Sequence, residues 1–264
     1  MKIIASGTLK GGTGKTMWLY NTAGILAEKY RVLAIDLDPQ CNLTDNANID
    51  VTVQDGPSIR DIFENPHLAD PEKLITVAPI KQLPNLDFIA SHIRLTAVEM
   101  RLTSFPARES ILARWINDHE EYLSRYDYIL IDTNPSMGII NQNAFMASDS
   151  IVLISDVSNK ARQGAELFMF LWEEIREAFR MEDNVKALVL NNVDKRMKMA
   201  AQIREYYQED AEFGKLLVDV DIPTRKDLKD TETEYVPINI LQPKSGVCQA
   251  FRAVVNELFE RGVF

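Results

Sequence analysis

Lys10-Gly11-Gly12-Thr13-Gly14-Lys15-Thr16 follows a short apolar strand, Ile3-Ile4-Ala5, and opens a helical pattern that begins near Lys15. Glycines in such a turn let backbone N–H groups converge on phosphate oxygens, and the helix N-terminus that follows favours an anion. Lys15 supplies a point charge for the β- and γ-phosphates of a nucleotide, and the Thr16 hydroxyl can ligate Mg²⁺. The pattern G-x-x-x-x-G-K-[ST] is not fully met, because its first glycine would fall on Leu9. What stands instead is K-G-G-x-G-K-T, a deviant loop with a second lysine, Lys10, at its start. A glycine-rich turn with no nucleotide is the plain alternative; strand, loop, Gly-Lys-Thr and helix in succession argue against it.

Working outward, apolar runs rich in β-branched residues recur at Lys2–Ser6, Val32–Ile35, Leu86–Ile89, Tyr128–Ile131, Ile151–Ile154, Val185–Leu190 and Leu217–Val220. They are continuous rather than alternating, which predicts strands buried on both faces, as in a parallel sheet. Amphipathic stretches lie between them, at Trp18–Glu28, Ser110–Ser124, Ala161–Arg180, Met197–Gln208 and Val247–Phe259. The alternation predicts one α/β domain over residues 1–264, a doubly wound, mostly parallel sheet with helices on both faces. Residues 45–85, rich in Asp, Asn and Pro, read as the least regular segment, with a short helix near Ser58–Phe63.

Composition narrows the function classes. With 46% hydrophobic and 26% charged residues the chain is of ordinary globular type. Its 29 basic and 39 acidic residues give a net charge of −10, which argues against a broadly basic nucleic-acid binder but leaves room for a local patch. The two cysteines, Cys41 and Cys248, lack the spacing of a zinc site and read as free thiols of a reducing cytoplasm. No signal peptide and no membrane span is expected.

Polar clusters follow the strands, where ligands of open α/β sheets bind. Asp132 closes the run Tyr128-Ile129-Leu130-Ile131, as does an aspartate that holds Mg²⁺ through a water; an Asp there also serves as a turn or cap, and the loop upstream favours the metal reading. Asp36 and Asp38, two apart, point the same way on an extended chain. One or both can orient a water for attack on a γ-phosphate, or simply hold an Asx-turn. Asn191-Asn192-Val193-Asp194 occupies a place suited to reading a base by amide hydrogen bonds, and equally suits a turn. Pro223, after the last predicted strand, can stiffen a loop against the base.

Together, Lys10–Thr16, Val32-Leu-Ala-Ile-Asp-Leu-Asp-Pro-Gln40 with Asn42, and Tyr126-Asp-Tyr-Ile-Leu-Ile-Asp132 with Pro135-Ser136 resemble the ParA/Soj partition ATPases of the ParA/MinD group. The resemblance spans the chain from first strand to last helix, and the Asp-x-Asp-Pro-Gln element points to the ParA branch. It implies slow ATP hydrolysis with Mg²⁺, an ATP-dependent homodimer, non-specific DNA binding by that dimer, stimulation by a ParB-type centromere-binding partner, and a cytoplasmic, nucleoid-associated location. Lys10, Lys15 and Asp38 would be catalytic, with Lys10 reaching the other subunit's phosphates and Asp38 positioning the attacking water. Lys10, Gly11, Gly12, Thr13, Gly14, Lys15, Thr16, Met17, Asn191 and Pro223 would bind the nucleotide; Thr16, Asp36 and Asp132 would serve the metal.

Three residues depart from the family pattern: Met17 for the usual second threonine, Cys41 for glycine, and Asn134 for proline. The start at the first strand resembles the small ParA class, which lacks an N-terminal helix-turn-helix domain. DNA candidates are Lys195, Arg196 and Lys198 at one loop–helix junction and Arg225 and Lys226 after the last predicted strand, with acidic residues interspersed, so an ordinary solvated surface competes with this reading. A MinD-like membrane ATPase would need a basic amphipathic C-terminal helix. Val247–Phe264 carries only Arg252 and Arg261 against Glu257 and Glu260, so a core-packing helix is expected there. A nitrogenase-reductase-like role is excluded by the positions of Cys41 and Cys248. A nucleotide switch without hydrolysis stays open.

Overall fold

Runs such as Val32-Leu33-Ala34-Ile35 and Tyr128-Ile129-Leu130-Ile131 send apolar side chains to both sides of an extended chain, so each strand must be covered twice. The computed structural model, which describes residues 1–51, 56–224 and 226–264, shows how this is met. Seven strands, β1 (Lys2–Gly7), β2 (Val32–Asp36), β3 (Ile75–Thr76), β4 (Leu86–Ile89), β5 (Tyr128–Asp132), β6 (Ser150–Ser155) and β7 (Val185–Leu190), form one sheet in the order β3-β4-β2-β5-β1-β6-β7. All neighbours are parallel except the two-residue edge strand β3, which runs antiparallel to β4.

Alternate residues feed two cores. Ile3, Ala5, Leu33, Ile35, Ile129 and Ile131 face one side, with Trp115 from helix Ile111–Asp118, Phe145 from helix Ile139–Ala147 and Phe168 and Trp172 from helix Asn159–Phe179. Ile4, Val32, Ala34, Leu130 and Val152 face the other, with Trp18 and Leu19 from helix Lys15–Leu26 and Phe251, Val254 and Leu258 from helix Gly246–Glu260. At about 1.5–3 kcal/mol per fully buried large apolar side chain, these two layers are the main stabilising term. The apolar stripe of the last helix is consumed by the core, as expected. Among the described residues no helix is long and apolar enough to cross a membrane.

Two expectations need correction. Leu217–Val220 is not a strand: among the described residues it forms a single bridge to β7, at Leu188–Leu217, and the chain after it forms another beyond β7, at Val193–Pro223. The Val218 and Ile222 N–H groups still donate to the Leu188 and Leu190 carbonyls, but the Asp219 N–H is diverted to the Glu257 carboxylate, and Pro223 has no N–H. The two bonds to β7 come from N–H groups four residues apart, where a regular ladder uses every second one, so no strand forms. The segment expected to be least regular holds the short helix expected there, at Ile59–Glu64, and in addition helix Pro71–Leu74 and β3.

Every strand from β1 to β7 except β3 delivers its C-terminal end to one edge of the sheet. The helix from β1 to β2 and the later crossover to β6 lie on opposite faces, so a crevice opens beside β1, and the phosphate loop lies there.

Candidate active site

Parallel register places the ends of β1, β5 and β2 side by side: Ala5 pairs with Ile131, and Asp36 with Asp132. The loop leaving β1 turns through Gly12 and Gly14, at φ 80° and 78°, a left-handed conformation that a Cβ would strain. Gly14 is the N-cap of helix Lys15–Leu26, whose first N–H groups have no acceptor within the helix.

Asp132, fully buried, gathers three donors. The Thr16 hydroxyl donates to Oδ2 at 2.6 Å; the Lys15 ammonium and the Ser6 hydroxyl donate to Oδ1 at 2.8 and 3.1 Å. Lys15, itself buried, also donates to the Thr133 carbonyl. A buried carboxylate persists where charge and lone pairs are both matched, as here. Thus the loop lysine, the loop threonine and the strand-end aspartate, 117 residues apart in sequence, form one hydrogen-bonded unit.

The two aspartates after β2 take different roles. Asp38 lines a cleft of about 630 Å³ together with Lys10–Met17, Gln40, Asn42, Asp45 and Pro135. Burial, joined by the charge of Asp132, raises its carboxyl above the usual range, while the Gln40 N–H at 2.9 Å and Lys15 oppose the rise. Asp36 does not line the cleft. Its Oδ1 accepts from the Asp38 N–H at 3.0 Å, and its Oδ2 accepts from the Thr44 N–H at 2.9 Å and the Thr44 hydroxyl at 2.7 Å. Burial first, and the neighbouring Asp132 second, push it up to about 7. With both oxygens committed to the chain, Asp36 is placed as a loop anchor rather than in the metal shell expected from sequence.

Lys10 stands on the rim, paired with Asp156 just beyond β6, whose Oδ1 is buried without a hydrogen-bond partner among the described residues. Asn191 lies behind the loop: its Nδ2 donates to the Thr13 and Gly14 carbonyls at 2.8 and 3.1 Å, bracing the turn instead of lining the cleft. Pro223 likewise lies outside the cleft lining, held beside Val193. Lys195, Arg196 and Lys198 are exposed, and Arg196 is already paired bidentately with Asp194 at 2.7 and 2.8 Å. Arg225 and the Lys226 side chain lie outside the described residues.

The three departures each have a local setting. Met17 packs its sulfur against the Asn21 amide at 2.9 Å and the Thr231 hydroxyl at 3.2 Å, joining the loop helix to helix Lys226–Glu234. Cys41 holds φ at 60°, a conformation a glycine would take without strain. Asn134 pairs with buried Asn141, whose Nδ2 lies 2.8 Å from its Oδ1 and 2.8 Å from its carbonyl. Sequence reasoning missed Ser6, Thr44, Asn141 and Asp156; each is a common polar residue with no motif spacing, made significant only by what the fold brings beside it. Glu232 and Tyr235, which also border the cleft, are of the same kind.

These residues fit a magnesium nucleotide. The turn at Gly12 and Gly14 exposes backbone donors, the buried Thr13 hydroxyl has no partner among the described residues, and Thr16 and Asp132 are the hard oxygen donors Mg²⁺ requires.

Comparison with known proteins agrees. The profile of a family described as an AAA domain matches residues 1–187. The sporulation initiation inhibitor protein Soj of Bacillus subtilis is 28% identical over 262 residues, covering 99% of each chain. The chromosome partitioning protein ParA of Caulobacter vibrioides is 27% identical over 262 residues, covering 99% of this chain and 95% of its own. The chain belongs to the ParA/MinD group of P-loop ATPases. Apo McdA from Cyanothece superposes on this ParA/MinD-type ATPase with a TM-score of 0.85 at 20% identity, over 98% of this chain and 99% of that one; its fold is the same.

Two measurements probe the site. Replacing Lys15 with Ala removes the buried ammonium and leaves Asp132 unpaired, so nucleotide affinity should fall at least 100-fold by calorimetry; unchanged affinity would place the phosphates elsewhere. For Asp36, a raised carboxyl pKa means the folded protein holds a proton that the unfolded chain releases near the ordinary value of 3.8. Its contribution to stability is therefore greatest at low pH and declines as pH rises from about 4 to about 7. The melting temperature of Asp36→Asn relative to the parent should climb across that window and then level, whereas a difference independent of pH would refute the shifted carboxyl.

Proposed function

We propose that this ATPase is a nucleotide-driven partition switch: with Mg-ATP bound it pairs with a second copy, the pair holds DNA without sequence preference, and hydrolysis, stimulated by a ParB-type centromere-binding partner, resets it. The observation that carries this reading is the division of labour between the two lysines of one loop. Lys15 is buried on Asp132 inside the site, while Lys10 sits on the rim on Asp156. A single pocket uses the first; the second, partly exposed and held on Asp156, would be the one to meet a partner's phosphates. The name of the Caulobacter vibrioides relative, a chromosome partitioning protein, supports a positioning role, and a McdA structure carries ATP.

The bound nucleotide would supply a phosphoanhydride and the metal would neutralise its charge. Lys15 and the loop N–H groups would hold the phosphate oxygens, and Thr16 with Asp132 the metal. Asp38, the carboxylate that borders the cleft beside Lys15, orients a water through hydrogen bonding.

A second reading has its own support. The net charge of −10 and the pairing of Arg196 with Asp194 favour a protein scaffold over DNA as the surface on which the switch works.

Lys10→Ala should bind ATP with affinity near that of the parent yet sediment as a monomer with ATP; an ATP-dependent dimer of normal affinity would refute the outward role of Lys10. DNA binding by the ATP state, followed by fluorescence anisotropy, should weaken steeply with salt and be indifferent to sequence. Reversing the charge of Lys195 and Lys198 together should reduce the salt slope by about two units while leaving the dimer intact. Absence of DNA binding at low salt would select the scaffold reading instead.

A further inference from the structure

The segment between β2 and helix Asn42–Asn46 is closed on itself around one carboxylate. The Asp38 N–H donates to Asp36 Oδ1 at 3.0 Å near one end, and at the other the Thr44 N–H and hydroxyl donate to Asp36 Oδ2 at 2.9 and 2.7 Å. The Thr44 hydroxyl accepts in turn from the Ser91 N–H at 2.9 Å, just beyond β4. Within the closed segment the Asp38 carboxylate accepts from the Gln40 N–H and the Asp38 carbonyl from the Cys41 N–H, each at 2.9 Å. Thr44 and Asp36 are both 1% exposed, so water does not replace these bonds. Asp38 lies inside the closed segment and borders the cleft; Asp36 and Thr44 do not border it.

A hydroxyl can donate once while it accepts, and Thr44 uses both capacities, on the end of β2 and on the chain just beyond β4. Valine has the same shape and neither capacity, and its substitution leaves the Ser91 N–H unpaired and Asp36 Oδ2 with a single donor. The loop is then free to shift, and a displacement of about 1 Å at a catalytic group costs on the order of 100-fold in rate. We propose that Thr44 is a positioning residue for ATP hydrolysis: through Asp36 and Ser91 it fixes where the Asp38 carboxylate stands over the cleft. The inference rests on the reading of Asp38 as the group that orients water.

The test compares the parent with Thr44→Val, Thr44→Ser, Asp38→Ala and the Thr44→Val/Asp38→Ala pair, under saturating Mg-ATP with and without DNA. Thr44→Val should lose about tenfold or more in kcat while its ATP dissociation constant stays within about twofold, because the phosphate loop is untouched. Thr44→Ser retains the hydroxyl and should return kcat to within about twofold of the parent. The double variant should be no slower than Asp38→Ala, since both changes act through one carboxylate. If Thr44→Val does not give folded protein, Thr44→Ala, which removes the same hydroxyl with less bulk, carries the same expectation. Normal turnover in the folded hydroxyl-deleted variant, a failure of Thr44→Ser to restore it, or additive losses in the double variant overturns the clamp while Asp38 keeps its role. Normal turnover in Asp38→Ala overturns both together.

Discussion

The buried ion pair between Lys15 and Asp132 is the constraint on which the rest of the site depends. An ammonium and a carboxylate withdrawn from water are costly unless each meets the other and the remaining lone pairs are filled. The Ser6 and Thr16 hydroxyls donate to the remaining lone pairs of Asp132, and the Thr133 carbonyl accepts a second hydrogen bond from Lys15. Because these groups come from β1, the helix after the loop and the end of β5, the demand for satisfaction locks three elements in register. The phosphate loop is held from below by this cluster and from behind by Asn191, so the glycine turn is rigid although glycine itself is not.

That rigidity contrasts with the two segments that border the cleft on its open side. Each is organised by a single buried polar side chain outside any motif. Thr44 ties the Asp38 segment, and Asn141 ties the Asn134–Ser136 segment through its amide at 2.8 Å from both the Asn134 and Ser136 carbonyls. Both segments therefore have a defined geometry that a few hydrogen bonds can release. Asn134, where the family pattern has proline, loses a fixed φ and recovers order through that amide pair.

What was legible in the sequence follows from the range over which a signal acts. The strands at Val32 and Tyr128 and the Gly-Lys-Thr turn are local, since continuous apolar runs and backbone-dictated glycines need no tertiary partner to be recognised. Asp132 was legible because a strand end fixes its location. The role of Asp36 was not: two carboxylates two residues apart face the same way on an ideal strand, and only the return of the chain at Thr44 turned one into an anchor. For Asn191 two readings, a base contact and a turn, were equally open, and only the fold shows its amide donating to the Thr13 and Gly14 carbonyls. Leu217–Val220 had the composition of a strand, but its path leaves the N–H bonds to β7 four residues apart, at Val218 and Ile222, where a continuous ladder needs every second residue.

The interrupted segment has a consequence for how copies of the chain meet. A sheet with a complete outer strand offers a row of free N–H and C=O groups that another sheet can extend. Here one margin ends in the two residues of β3 and the other in a chain that touches β7 at isolated points, with Asp219 and Pro223 breaking its outward pattern. Among the described residues neither margin presents a long template for strand addition. Pairing of one sheet edge with another is thereby disfavoured at both margins.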